Sequence, residues 1–273
     1  MRNDIFSHLQ NATLTKEEFD QLLYLPRREF NNSAKKRFSK FYTNLDFTHP
    51  DFKKRVKINT QLASLIPVNQ FIHYPEIKII ELGASFGTIS SIAVAVYLLR
   101  RGYKDKISFT LLDMCIEPLE NTKIIDFDLN NLLKYFKATR YLEQITQILR
   151  NSQIIEGSLI NPHGVLFKKF NIVISAFTQH HLNIRDKEKA CKVMEFIIQT
   201  GGLILLGDLT FTYKQYLKWL ERHSMEKNSK GQNIPYAVES FITLHDHSRM
   251  FSKSTKIMDL HGDIYYCLAF KRN

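Results

Sequence analysis

The sequence lacks most of what a secreted, disulfide-bound or membrane-spanning chain requires. Its three cysteines, Cys115, Cys191 and Cys267, are far apart, odd in number and form no CxxC pair. Without a secretory signal they read as free thiols in a reducing compartment. No apolar run reaches the ~18 residues that a transmembrane helix needs. Met1-Arg2-Asn3-Asp4 leads into a polar stretch with no apolar h-region, so a cytoplasmic location is expected. There is no Walker A loop and no Gly-x-Ser-x-Gly elbow, which removes the phosphotransferase and hydrolase readings. Internal repeats and low-complexity tracts are also missing.

What is present is an ordinary globular composition, with 44% hydrophobic residues in 273 and a formal charge of +11. That length suits one large α/β domain with appendages, or two small domains. The charge is uneven: Arg27 to Lys57 holds ten basic residues against Glu29, Asp46 and Asp51, a net +7. Such a segment attracts phosphates or acidic substrates, or forms a solvated helical face; both readings stay open.

Residues 1–75 lack strand-like alternation and are expected to form a helical N-terminal extension or lid. Thr15-Lys16-Glu17-Glu18 fits a capping box, in which hydroxyl and carboxylate satisfy free amides at a helix start. Leu62, Leu65 and Ile66 fall at helical intervals before Pro67. Residues 76–273 alternate strand and helix signals instead. Strands are expected at 77–82, 107–112, 153–156, 171–176 and 203–207, and helices at about 88–101, 127–150 and 186–199. The alternation points to βαβ units and a parallel sheet. Lys256 to Leu260, Gly262 and Asp263 to Phe270 resemble a hairpin, so an antiparallel last strand is expected.

The densest chemical signal is Glu81-Leu82-Gly83-Ala84-Ser85-Phe86-Gly87, after the first strand and opening a helix. Small residues there let a ligand approach the backbone, and the helix start adds partial positive charge. Asp113 closes the second strand, where a carboxylate can accept both hydroxyl hydrogen bonds of a ribose.

In order and spacing these motifs resemble the class I S-adenosylmethionine (SAM)-dependent methyltransferases. Glu81 to Gly87 is similar to their acidic-x-Gly-x-Gly-x-Gly motif, and Asp113 to their ribose-binding acid. Phe170 to Phe177 followed by His180-His181-Leu182 resembles the fourth-strand motif of the small-molecule branch, typified by quinone-biosynthesis methyltransferases. Gly201-Gly202 to Asp208 resembles the family's glycine turn and fifth strand. The resemblance implies a Rossmann-like, doubly wound α/β fold with a mostly parallel seven-stranded sheet, and SAM as cofactor. It places Glu81, Gly83, Ala84, Ser85, Gly87, Asp113, Met114, Ser158 and Ser175 at the cofactor. Ser85 replaces the motif's middle glycine, Ser158 stands where an adenine-binding acid is common, and Asn171 replaces a fourth-strand acid.

His180 and His181 fall just past the fourth strand and are the candidate catalytic bases, since imidazole titrates near neutrality. The alternative is a pair of histidines that shape the loop. Tyr213 and Tyr216 are candidates to line the acceptor pocket, or pack as part of an amphipathic helix. His245-Asp246-His247 carries metal-binding residue types, but i and i+2 do not share a helix face, so no metal site is expected. A nicotinamide-dependent oxidoreductase is the main enzymatic rival, and the chain lacks a full Gly-x-Gly-x-x-Gly. A small-molecule acceptor is favoured over RNA, because neither an Asn/Asp-Pro-Pro-Tyr/Phe element nor a Pro-Cys pair is present. A degenerate SAM-fold scaffold is the non-enzymatic alternative.

Overall fold

Ile77–Leu82 forms β1, and its apolar, β-branched run suits a strand buried on both faces. The computed structural model describes residues 8, 13–24, 47, 50–67, 69–85, 87–103, 106–124, 127–163, 169–224 and 240–273. In chain order the elements are α1 (Lys16–Gln21), α2 (Pro50–Ser64), β1, α3 (Ile89–Leu99), β2 (Ile107–Asp113), α4 (Glu117–Lys123) and α5 (Leu129–Tyr135). They continue with α6 (Leu142–Arg150), β3 (Gln153–Glu156), β4 (Phe170–Ala176), α7 (Ile184–Ile197), β5 (Ile198–Leu209) and α8 (Tyr213–Ser224). The chain ends with α9 (Leu244–Arg249), β6 (Ser254–His261) and β7 (Tyr265–Arg272).

The seven strands form one sheet in the order β3-β2-β1-β4-β5-β7-β6. Strands β1 to β5 pair in parallel, and β7 runs antiparallel to both β5 and β6. This is the doubly wound arrangement with one reversed strand. The order turns back between β1 and β4, so loops at the carboxyl ends of these strands border a crevice.

Alternate side chains supply the two core layers, as the period of 2 requires. Ile77, Ile79, Ile172, Ile174, Leu203 and Leu205 face one layer, and Ile80, Leu82, Val173, Ile204 and Leu206 the other. Helix α3 is apolar almost all round and buried along nearly its whole length between the sheet and α2. Helix α2 belongs to that core, with Phe52, Val56, Ile58 and Leu62 buried. The capping box at α1 forms as expected: Glu18 N–H donates to Thr15 Oγ1, and Thr15 N–H to the Glu18 carboxylate.

Two regions depart from the sequence expectation by more than two residues. The helical interval 127–150 divides into α5 and α6 at Lys137, whose φ of 52° breaks the helix. Gly201-Gly202 lies inside β5 rather than before it, where the register with β4 shifts between Phe170 and Ile172. Of the basic segment, residues 27–46, 48 and 49 lie outside the described residues. Lys53, Arg55 and Lys57 are exposed on α2.

Candidate functional site

The carboxyl edge of β1 and β2 is organised by backbone conformation before any side chain enters. Gly83, Ser85, Gly87 and Thr88 all have positive φ, at 78°, 54°, 76° and 37°. Glycine adopts this region without strain, whereas Ser85 and Thr88 must be held there by their surroundings. The N–H groups of Gly83 and Ala84 both donate to Leu112 O, at 2.8 and 3.1 Å, which ties the turn to β2. Gly87 N–H donates to Thr122 Oγ1 at 2.8 Å.

Asp113 ends β2 beside this turn. Its Oδ2 accepts Ser85 N–H at 3.0 Å and its Oδ1 accepts Cys115 N–H at 2.9 Å. Burial pushes its pKa up, while the backbone N–H groups of Cys115, Ser85 and Met114 oppose that rise. A carboxylate has about four lone-pair sites, so these bonds leave acceptor capacity for a diol. Ser85, the departure from the motif's middle glycine, thus closes the turn onto Asp113 through its backbone.

The other sequence-selected residues separate into edge and interior. Ala84 is buried, and Met114 and Ser158 are half-buried at the edge. Gly157 N–H donates to Asp113 O at 2.9 Å, which brings the loop carrying Ser158 beside Asp113. Glu81 instead points into the core. It is 2% exposed and accepts from Ser91 N–H at 3.1 Å and Ser91 Oγ–H at 2.5 Å. Burial raises its pKa to about 7 against the hydrogen bonds of Ser91 and Ser90. Glu81 therefore braces the first turn of α3. Ser175 is also interior, and its hydroxyl has no hydrogen-bond partner among the described residues. Asn171 holds the start of β1, its Oδ1 accepting Lys78 N–H at 2.7 Å. Phe86 lies outside the described residues.

The histidine pair occupies the 3-10 turn Gln179–His181 after β4. His180 Nδ1 lies 2.6 Å from Asp208 Oδ1, and both side chains are buried. An ionised carboxylate only accepts, so Nδ1 carries the proton and Nε2 is the basic atom of the neutral ring. Burial raises the pKa of Asp208, but the electrostatic attraction and hydrogen bond of His180, with the positive charge of Lys187, outweigh it. The net effect holds this carboxyl below its ordinary value. His181 is half-buried, its ring centroid 4.0 Å from that of His180.

Asp208 is a functional candidate to which the sequence motifs assign no role. An acid closing an apolar strand at the carboxyl edge was the available signal. A buried network flanks it. His247 bonds to Tyr266 Oη through Nδ1 and to Gln179 Oε1 at 2.7 Å through Nε2. Burial lowers its pKa to about 3. Lys187 Nζ donates to Ser240 Oγ at 2.6 Å and Ser240 O at 2.9 Å, and Ser240 N–H donates to His180 O at 2.8 Å. His247 is thus committed within the core, and among the described residues no group of three or more His, Cys, Asp or Glu is set to hold a metal. Among the described residues no helix is long and apolar enough to cross a membrane. Cys115, Cys191 and Cys267 form no disulfide among the described residues.

Tyr216 is buried and packs with Leu14, Leu22, Phe211, Leu220 and Phe241. Tyr213 Oη donates to Leu14 O at 2.7 Å. The Phe241 ring stacks on His180 with centroids 6.3 Å apart, so this aromatic cluster borders the His180–Asp208 pair.

No protein-family model matches the chain, and no curated protein matches it. Solved structures do. The magnesium protoporphyrin IX methyltransferase ChlM from Synechocystis PCC 6803, with bound SAH, is 12% identical with a TM-score of 0.55 over 90% of this chain and 98% of its own. The geranyl diphosphate C-methyltransferase from Streptomyces coelicolor A3(2), in complex with Mg2+, geranyl diphosphate and S-adenosyl-L-homocysteine, is 9% identical with a TM-score of 0.53 over 90% of this chain and 100% of its own. The mitomycin 7-O-methyltransferase MmcR is 9% identical with a TM-score of 0.53 over 98% of this chain and 67% of its own. With the strand order β3-β2-β1-β4-β5-β7-β6 and β7 reversed, the chain has the fold of the class I SAM-dependent methyltransferases.

Proposed function

We propose that the chain binds SAM at the carboxyl edge of β1 and β2 and transfers its methyl group to a small-molecule acceptor. The observation that carries this reading is the left-handed turn at Gly83, Ser85 and Gly87, closed onto the Asp113 carboxylate. Gly83 and Ala84 present backbone at the methionine side, and Asp113 offers its remaining lone pairs to the ribose. Met114 packs on the adenine, and the Ser158 hydroxyl bonds its edge. Glu81 acts from the interior by holding the first turn of α3 under the turn, and Ser175 lies beneath the crevice.

SAM supplies an activated methyl group, so the protein's task is alignment, which contributes roughly 7–11 kcal/mol in well-oriented reactions. His180, held in one tautomer by Asp208, takes the acceptor's proton at Nε2. His181 packs against His180 and borders the same turn. Within residues 1–75, the segment around α1 covers the acceptor side, with Leu14 and Leu22 seated on the aromatic cluster. Residues 76–273 form the methyltransferase domain, with α2 completing its core.

Calorimetric titration with SAM and, separately, with NAD(H) tests the reading. Micromolar SAM binding with none for NAD(H) is expected. Absence of SAM binding in folded, ligand-free protein would overturn it in favour of a degenerate scaffold.

A further inference from the structure

A second cleft lies at the opposite, amino-terminal edge of the sheet, where β4 and β5 begin, β6 starts and β7 ends. Strand β4 separates it from the cofactor edge by about 20 Å at the usual rise per strand residue. Its volume is about 840 Å³, within the range of small-ligand sites. Lys169, Lys192, Lys253 and Arg272 line it, against one acid, Glu195.

Among the described residues no carboxylate lies within ion-pair distance of any of the four cations. Glu195 is 3% exposed and turned inward, where its Oε1 accepts Lys253 N–H at 2.6 Å and its Oε2 accepts the Ser252 hydroxyl at 3.4 Å. Two of the cations are held in place by neutral carbonyls. Lys169 Nζ donates to Phe196 O at 2.6 Å, and Arg272 Nη1 donates to Lys253 O at 2.5 Å. Each keeps further N–H donors, since lysine has three and arginine five. Like charges gathered in a concave wall focus a positive potential that a multiply charged anion relieves. Phe196, with 54% of its surface exposed, adds an apolar floor beside the charges.

We infer that this cleft binds a small phosphate-bearing anion, with the lysine and arginine side chains on its phosphate oxygens. The site is independent of the cofactor edge and of the methyl-transfer reading. Titration of the full chain with inorganic tripolyphosphate and with ATP tests it, alongside the Lys192→Ala/Lys253→Ala double variant. Saturable binding of either probe is expected, weakened tenfold or more in the variant, whose melting temperature and SAM response match the parent. Lack of saturable binding by both probes, or equal affinity in the variant, overturns the inference. Binding confined to a single-stranded RNA oligonucleotide overturns it as well, because the ligand would then be a macromolecule.

Discussion

A Cβ placed on Gly83 would stand 2.4 Å from Cγ2 and 2.6 Å from Oγ1 of Thr178, so the turn after β1 and the loop after β4 are in direct contact. Thr178 Oγ1 donates across this contact to Gly83 O at 3.3 Å and lies 3.0 Å from Ala176 O. The missing side chain lets the two strand ends bordering the crevice close together.

Gly83→Ala is therefore expected to lower stability by about 2–4 kcal/mol, through steric overlap and left-handed strain together. Adding Thr178→Ala removes the two nearest atoms and should recover part of the loss, leaving about 1–2 kcal/mol for the backbone conformation. Denaturant midpoints of the four proteins in this cycle measure the coupling. Additive losses would show that the two positions do not interact.

Asp113→Ala removes the proposed ribose acceptor and two bonds that shape the turn. Charge-assisted hydrogen bonds are each worth about 1.5–3 kcal/mol, so SAM affinity should fall at least tenfold. Calorimetry on variant protein with a native circular dichroism spectrum checks this. An unchanged affinity would mean that the ribose lies elsewhere.

The His180–Asp208 pair predicts a protonated Nδ1 in the neutral ring. Nitrogen-15 spectra of histidine-labelled protein report the tautomer directly, and Asp208→Ala should abolish that preference. Given an acceptor that the parent protein methylates, His180→Ala should lower kcat by about 10²–10⁴ while SAM affinity stays within a few-fold. Loss of SAM binding alongside kcat would instead assign His180 to the architecture of the cofactor edge.

Two buried groups tilt stability in opposite directions with pH. Glu81 has a folded-state pKa raised to about 7, so the folded protein binds its proton more tightly than the unfolded chain. Its contribution is present below the unfolded value near 4.5 and is lost as pH rises through 7. The full effect is worth up to about 3 kcal/mol. His247, lowered to about 3, is kept neutral in the fold, so stability is lost as pH falls from 6.5 toward 3. Glu81→Gln should raise the melting temperature at pH 8 relative to the parent, and the difference should vanish near pH 4.5. A constant difference across that interval would place the Glu81 titration outside it.

The βαβ order, the capping box at Thr15 and the antiparallel hairpin were legible because they rest on local rules: period-2 and helical patterning, turn residues and cap chemistry. The glycine turn and the strand-end position of Asp113 were legible because each directly follows or closes an apolar run readable from its own neighbours. Other roles needed the third dimension. Glu81 reads as a ligand residue in its motif, but strand alternation turns it inward to Ser91. Ser175 likewise sits on a residue pattern that says strand and gives no sign of which layer receives its hydroxyl. Asn171 looks like a lost acid until its Oδ1 meets the N–H of Lys78, 93 residues away.

The sequence by itself determined the strands, the sheet's carboxyl-edge motifs and the reversed last strand, since each follows from neighbours within a few residues. Only the tertiary structure decided that Asp208 meets His180, that His247 joins Gln179 to Tyr266, and that four cations gather at the far edge of the sheet. These contacts depend on which strands lie side by side and which face each residue takes. Sheet order and burial set those relations, and short-range pattern does not encode them.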